Sequence, residues 1–190
     1  MIEQEAAMVQ RARNGDRAAF EELVRRTSRL VFARLYLDTG NTHRAEDLLQ
    51  ETYLLAFRSI HKLTDATGFR AWLLAIAHNV LVDATRYDAR RKRAAPPRSD
   101  TPLTGLPGGE LSPDQMAERE ELRQRVLSLL RSLPEDYRLP LTLRYIVGAD
   151  HDAIGTQLGL TNGALRGLLH RGLKMLRERL PADLSADLDG

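Results

Sequence analysis

The sequence DHDAIGTQLGLTNGALRGLLHRGLKMLRER, residues 150–179, decides the fold of the C-terminal part of the chain. Asp150 can cap a short helix that ends at Gly159, because glycine readily adopts the left-handed conformation found after helix ends. Thr161 can cap a second helix, in which leucines recur at three- and four-residue spacings among basic side chains. Small Gly155 allows the two helices to approach closely. This pattern predicts a helix-turn-helix with a basic second helix, a unit typical of DNA binding. The alternative is an ordinary pair of amphipathic helices with a solvated basic face.

The composition disfavours most kinds of enzyme. The chain has 190 residues and no cysteine, which excludes disulfides, thiolate nucleophiles and thiolate zinc sites. Its five histidines form no Glu-x-x-His pair, so we expect neither a metal nor a cofactor. No nucleophile and base are paired and no glycine-rich phosphate loop is present. We therefore predict a protein without catalytic residues or a small-molecule substrate.

The same sequence gives no sign of a membrane segment. No apolar run approaches the roughly 20 residues that a membrane span requires. The first residues also lack the basic-then-apolar order of a signal peptide. We expect a soluble, cytoplasmic protein without membrane insertion.

Charge is distributed unevenly along the chain, although the formal net charge is only +2. Residues 86–98 contain six basic residues and one aspartate, whereas residues 99–121 contain six acidic residues and one arginine. Residues 166–179 are again basic, with five basic residues and one glutamate. A single polyanion that binds both basic segments explains this pattern more economically than two unrelated basic faces exposed to solvent.

A predicted linker overlaps the beginning of the acidic stretch. Residues 94–113 contain five of the eight prolines and three glycines, and they lack helical periodicity. Ser112, Pro113 and Gln115 then have the spacing of a capped helix start. We predict an N-terminal domain over 1–93, a flexible linker over 94–112, a C-terminal domain over 113–182 and an acidic tail over 183–190.

Every segment of the N-terminal domain has a helical pattern, and no alternating strand pattern occurs anywhere. The predicted fold class is therefore all-α, with an N-terminal helical bundle and a C-terminal helix-turn-helix domain joined by a flexible Pro/Gly-rich linker.

Two segments of this bundle contain polar, aromatic or basic side chains that a hydrophobic core does not require. Residues 44–58 place carboxylates and a glutamine on one side of a helix, which indicates either a solvated acidic face or a docking helix for a protein partner. Residues 69–93 combine aromatic side chains with a terminal basic cluster, a combination that suits unstacked bases as well as duplex phosphates. Trp72 and Phe69 in this segment are equally typical of core positions, and a core position is the favoured interpretation for Trp72.

The order of these motifs resembles a known family. GDRAAFEELV (15–24), AEDLLQETYLLAFR (45–58), FRAWLLAIAHNVLVDATR (69–86), the linker, SLPEDYRLPLTLRY (132–145) and the helix-turn-helix are similar to the ECF (extracytoplasmic-function) sigma factors of bacterial RNA polymerase. The resemblance covers nearly the whole chain. It implies that the protein directs core polymerase to promoters and assists promoter opening. The partners that it implies are core RNA polymerase and promoter DNA, and an anti-sigma protein is a candidate third partner.

The resemblance also implies three sets of site residues. The set that docks on the clamp helices of the largest polymerase subunit comprises Asp47, Leu48, Gln50 and Glu51. The set that contacts or flanks the melted -10 element comprises Thr64, Asp65, Ala66, Thr67, Phe69, Arg70, Trp72, His78, Asn79 and Arg86. The set that faces the -35 element comprises Thr161, Asn162, Arg166 and His170, with Arg171 and Lys174 nearer to phosphates. The linker would run through the interior of the enzyme, and the C-terminal domain would lie near the flap.

The chain departs from the family pattern at several positions. His78 stands where a basic residue usually precedes the asparagine, and Gly167 and Leu168 replace a hydroxyl and a charged residue of the recognition helix. Two other functions remain open from the sequence: a self-sufficient helix-turn-helix regulator whose N-terminal helices dimerise, and a helical scaffold that binds only proteins.

Overall fold

The computed structural model describes residues 2–94 and 112–180, and all regular elements in these two ranges are helical. The N-terminal part contains four α-helices: α1 (Ile2–Arg13), α2 (Arg17–Thr39), α3 (Thr42–Ser59) and α4 (Phe69–Ala94). Two short 3₁₀ turns, Ile60–Lys62 and Ala66–Gly68, connect α3 to α4. The all-α prediction is confirmed.

The C-terminal part contains four more α-helices: α5 (Pro113–Ser132), α6 (Glu135–Leu141), α7 (His151–Leu158) and α8 (Asn162–Arg179). A π-helical turn, Thr142–Ile146, follows α6 and its internal Pro140. Proline has no N–H to donate, which weakens the regular helical ladder at this point. The linker predicted over 94–112 lies outside the described residues except for its two ends, and the tail over 183–190 lies wholly outside them.

The predicted helix starts are present. Asp150 accepts a hydrogen bond from the Ala153 amide at 2.7 Å, and Thr161 accepts one from the Ala164 amide at 3.3 Å. Ser112 and Gln115 form the reciprocal pair of hydrogen bonds of a capping box. Gly159 adopts a φ of 67°, the left-handed value that ends α7. Local sequence signals therefore fix the ends of the helices that present the C-terminal surface.

Two hydrophobic clusters hold the helices together, and each draws residues from both domains. The first lies between α1, α2, α3 and α4, and Leu127 of α5 packs into it. The second lies between α5, α6, α7 and α8, and Leu30, Ala33 and Leu37 of α2 pack into it. The two helical domains are therefore docked on each other through α2. No helix in the described ranges is both long and apolar enough to cross a membrane.

Candidate nucleic-acid and polymerase interface

The helix α8 presents a polar stripe to solvent. Asn162, Arg166, His170 and Lys174 follow one another at four-residue spacing, and all four are exposed. Leu165 and Leu169 are buried on the opposite side. The six residues assigned by resemblance to the -35 surface are all exposed: Thr161, Asn162, Arg166, His170, Arg171 and Lys174. The structure therefore brings this set together on an accessible helix face, the arrangement required for entry into a major groove.

Gly155 sets how closely α7 meets the turn before α8. Its carbonyl accepts a hydrogen bond from the Leu160 amide at 2.9 Å. A Cβ at this position would lie 2.9 Å from the Leu160 carbonyl oxygen, which is closer than real Cβ atoms come. The close approach at Gly155 is therefore to the backbone of the turn at Leu160, whereas the sequence predicted it between the two helices.

A second exposed face lies along α4. Trp72, Asn79 and Arg86 recur at seven-residue spacing, which places them on one side of the helix two turns apart. Asn79 and Arg86 are exposed, whereas Trp72 is half-buried and its ring lies 5.9 Å from that of Phe69. His78 is exposed beside this face. These residues form a candidate surface for unstacked bases, with Trp72 at its edge.

The loop that precedes α4 is held in shape by its own side chains. Asp65 accepts hydrogen bonds from the Thr67 amide at 2.9 Å and from the Thr67 hydroxyl at 2.7 Å. These bonds hold the pKa of the Asp65 carboxyl below its usual range, the hydroxyl bond having the larger effect. Thr64 is exposed and Ala66 is half-buried. The loop therefore offers a rigid, exposed edge, in which Asp65 has a structural role.

Two residues assigned to the -10 set lie elsewhere. Phe69 is fully buried in the first hydrophobic cluster, so it supports the surface from below and cannot contact DNA. Arg70 lies on a different side of α4 from Trp72, where its Nε donates to Glu5 of α1 at 2.8 Å. Its Nη1 also donates to the carbonyl of Thr156 in α7. The assignment of Phe69 to a DNA contact is wrong for this structure, because the family motif does not specify which side of the helix is buried. The assignment of Arg70 stays a prediction.

The acidic side of α3 is accessible, with one exception. Asp47, Gln50 and Glu51 are exposed on one stripe of the helix. Leu48 is only 2% exposed and belongs to the first hydrophobic cluster, so it cannot lie on a docking surface. Leu54 is 59% exposed and continues the same stripe one turn further on. Leu54 is absent from the docking set that the resemblance implies, although it lies three residues after Glu51 and four after Gln50, a spacing that places it on the same stripe.

The residues described above form three exposed surfaces. Within residues 2–94 and 112–180, no group of three or more His, Asp or Glu side chains is placed to hold a metal ion. The exposed surfaces are a basic helix face on α8, an aromatic and polar face on α4 and an acidic face on α3 that includes the exposed Leu54.

The sequence of the chain matches two family models and several known proteins. Residues 23–91 match the family model Sigma-70 region 2, and residues 123–176 match Sigma-70, region 4. The chain is 35% identical over 169 residues to the ECF RNA polymerase sigma factor SigE of Mycolicibacterium smegmatis, covering 87% of this chain and 64% of SigE. It is also 35% identical over 178 residues to the RNA polymerase sigma factor CarQ of Myxococcus xanthus, covering 90% of this chain and 95% of CarQ.

A solved structure of CnrH in complex with the cytosolic domain of CnrY matches with 25% identity and a TM-score of 0.48, covering 94% of this chain and 98% of that one. The two region matches occur in the order expected for sigma factors, and the likeness to CarQ runs through both domains. The chain therefore belongs to the ECF-type sigma factors of RNA polymerase.

Proposed function

We propose that this chain is a promoter-specificity subunit, which binds core RNA polymerase, directs it to particular promoters and assists promoter opening. The observation that carries the proposal is the exposed stripe of Asn162, Arg166, His170 and Lys174 on the second helix of a helix-turn-helix. We assign the region 2-like functions to residues 1–93 and -35 recognition to residues 113–182. Residues 94–112 connect the two.

In the proposed -35 contact, α8 enters the major groove with its N-terminal end toward the base edges. The first residues of a recognition helix normally reach bases, while later ones pass along the backbone. Asn162 and Arg166 are therefore the candidates for reading sequence, and Lys174 is a candidate for a phosphate contact. A guanidinium can donate two parallel hydrogen bonds to guanine, which makes Arg166 the stronger determinant of the two.

In the proposed -10 contact, the loop of residues 64–67 and the α4 face receive bases from the melted strand. Opening several base steps costs about 1.4 kcal/mol per step in lost stacking. Contacts by Asn79, by the edge of Trp72 and by Arg86 would offset part of that cost. The rigid Asp65–Thr67 turn would lower the entropy lost on capture, since the loop is already ordered.

In the proposed polymerase contact, α3 docks through Asp47, Gln50 and Glu51, and Leu54 adds an apolar centre to their polar stripe. Protein interfaces commonly have an apolar centre and a polar rim, in which apolar contact supplies affinity and charge supplies orientation. The polymerase clamp helices and flap are the partners that the family implies, and an anti-sigma protein is a further one. The proposal includes no covalent step and no small-molecule substrate. Since the chain would work on the chromosome, it would act in the cytoplasm.

Transcription in vitro tests the proposal. Purified core polymerase is incubated with a library of genomic promoter fragments, with and without this chain, and the transcripts are sequenced. We expect a discrete set of start sites that depend on the chain. An unchanged transcript set would contradict the proposal, and tight specific duplex binding without polymerase would favour a self-sufficient regulator.

A further inference from the structure

The helix α8 contains a glycine that the fold does not require. Gly167 is not one of the glycines with a positive φ, so an alanine would fit its backbone conformation. Glycine also weakens a helix relative to alanine. By contrast, Gly172 of the same helix is buried, and a Cβ there would lie 2.8 Å from Cδ1 of Leu141. Helix packing therefore explains Gly172 and leaves Gly167 without a reason in the fold.

The space beside Gly167 is occupied by the side chain of Arg171. The three atoms nearest to a Cβ built at Gly167 all belong to that guanidinium: Nη1 at 3.2 Å, Cζ at 3.7 Å and Nη2 at 3.7 Å. Long side chains on a helix lean toward its N-terminus, and four residues of helix rise about 6 Å. The guanidinium of Arg171 therefore lies one turn nearer to the N-terminus of α8 than its own Cα, against bare backbone.

This guanidinium lies on the side of α8 that faces away from the core. Gly167 is opposite the buried Leu165 and Leu169 on the helix. It is nevertheless only half-buried, and Arg171, which covers it, is exposed. Gly167 also lies between Arg166 and Arg171, which are about 140° apart around the helix axis. The covered glycine is therefore at the centre of the face proposed to enter the major groove.

The held guanidinium has the chemistry of a base contact. Within the described residues, Arg171 has no carboxylate or carbonyl partner, so its N–H groups are available to a ligand. A planar guanidinium can donate two parallel hydrogen bonds to O6 and N7 of guanine, which requires a defined position. A phosphate contact positions the protein but carries no sequence information. The fixed place of the guanidinium therefore favours base reading over the phosphate contact that the family resemblance suggested.

We propose that Gly167 is a positioning residue for Arg171, and that Arg171 reads a guanine of the -35 element. This inference rests on the proposed function and adds a residue that determines its sequence specificity. A methyl group at residue 167 would lie 3.2 Å from Nη1 and push the guanidinium away from the backbone. Gly167→Ala should therefore strengthen the helix and weaken sequence reading, two opposite effects of one substitution.

Binding of core polymerase with the full chain to promoter duplexes tests the base contact. The duplexes carry a promoter found by the transcription screen, each -35 base pair is changed in turn, and fluorescence anisotropy gives the Kd. Arg171→Ala and Arg171→Lys should each lower the preference for one G·C pair about tenfold, because lysine keeps the charge but lacks the two-pronged donor. Arg177→Ala removes an exposed charge near the end of the same helix and should leave every base preference unchanged. Unchanged base preferences in the Arg171→Lys chain would indicate a phosphate contact and overturn the proposal.

A double-mutant cycle tests the role of Gly167. Gly167→Ala should lower the affinity for the cognate duplex about threefold when Arg171 is present, and should have no effect in the Arg171→Ala chain. Gly163→Ala is the matched control, because a Cβ there meets no described atom within 4 Å. Its effect on affinity should be the same with and without Arg171. An equal effect of Gly167→Ala in both backgrounds, or none in either, would overturn the positioning role.

Failure of this inference is distinguishable from failure of the proposed function. If the unaltered chain gives core polymerase no promoter-dependent binding, the proposed function is wrong, and this inference is wrong with it. If the unaltered chain confers selective binding to the -35 element but Gly167→Ala and Arg171→Ala both leave that selectivity unchanged, only this inference is wrong.

Discussion

Gly155→Ala is expected to destabilise the helix-turn-helix, although alanine is the better helix former. In an unobstructed helix, this change stabilises by about 1 kcal/mol. At Gly155 the new Cβ would lie 2.9 Å from the backbone oxygen of Leu160, so the turn itself has to move. Overpacking of this kind costs about 1–3 kcal/mol. We expect a net loss of about 1 kcal/mol, equivalent to a decrease in Tm of roughly 2–4 °C.

Gly167→Ala is the matched control in the same domain. The nearest atom to a Cβ there is Nη1 of Arg171 at 3.2 Å, the end of a flexible side chain that can move aside. This variant should gain up to about 1 kcal/mol. Both are compared by urea unfolding of the full chain, followed by far-UV circular dichroism. Equal stabilisation of the chain by Gly155→Ala and Gly167→Ala would contradict a tight contact between Gly155 and the Leu160 backbone.

Three further predictions concern the surfaces and one buried phenol. The double change Asp47→Arg and Glu51→Arg should weaken binding to core polymerase at least about tenfold in a titration, while the circular dichroism spectrum stays unchanged. Glu21→Arg is the control for charge reversal at an exposed position. Unchanged affinity of the double variant would remove α3 from the docking surface. Arg166→Ala should lower the binding free energy for the cognate -35 element by about 1–3 kcal/mol and relax the sequence preference. Lys174→Ala should weaken binding to all sequences alike and lower the slope of log affinity against log salt concentration by about one unit. Equal, uniform losses of affinity for both variants would mean that α8 is oriented differently in the groove. Burial raises the pKa of Tyr53 from 10.0 to about 12, so the contribution of the neutral phenol to folding stability is complete below pH 10 and is lost as the pH rises toward 12. An absorbance titration should show a late phenol ionisation that Tyr53→Phe removes. A titration without this late step would contradict the burial of the phenol.

Much of the fold could be predicted because its signals are local. The caps at Asp150, Thr161 and Ser112 depend on residues within one helical turn, and the left-handed Gly159 needs only its own lack of a side chain. The exposed stripe of α8 follows from four-residue spacing alone. These features required no knowledge of the rest of the chain.

The errors arose where the side of a helix depends on tertiary packing. Leu48 lies among docking residues in the sequence, yet it faces the core. Phe69 lies within a DNA-contact motif, yet it is fully buried in the first hydrophobic cluster. The apolar residues of α2 divide into two stripes that serve different clusters, as Leu23 and Ala33 show. Periodicity identifies apolar positions but does not say which neighbour covers them.

Permanganate footprinting of a promoter identified by the transcription screen tests the central claim most directly. The footprint is recorded with core polymerase alone, with this chain alone and with both together. We expect reactive, unpaired thymines around the -10 element only when both are present, and a strong loss of that reactivity with Asn79→Ala at unchanged core binding. Opening by core polymerase alone, or no opening with both, would contradict the account.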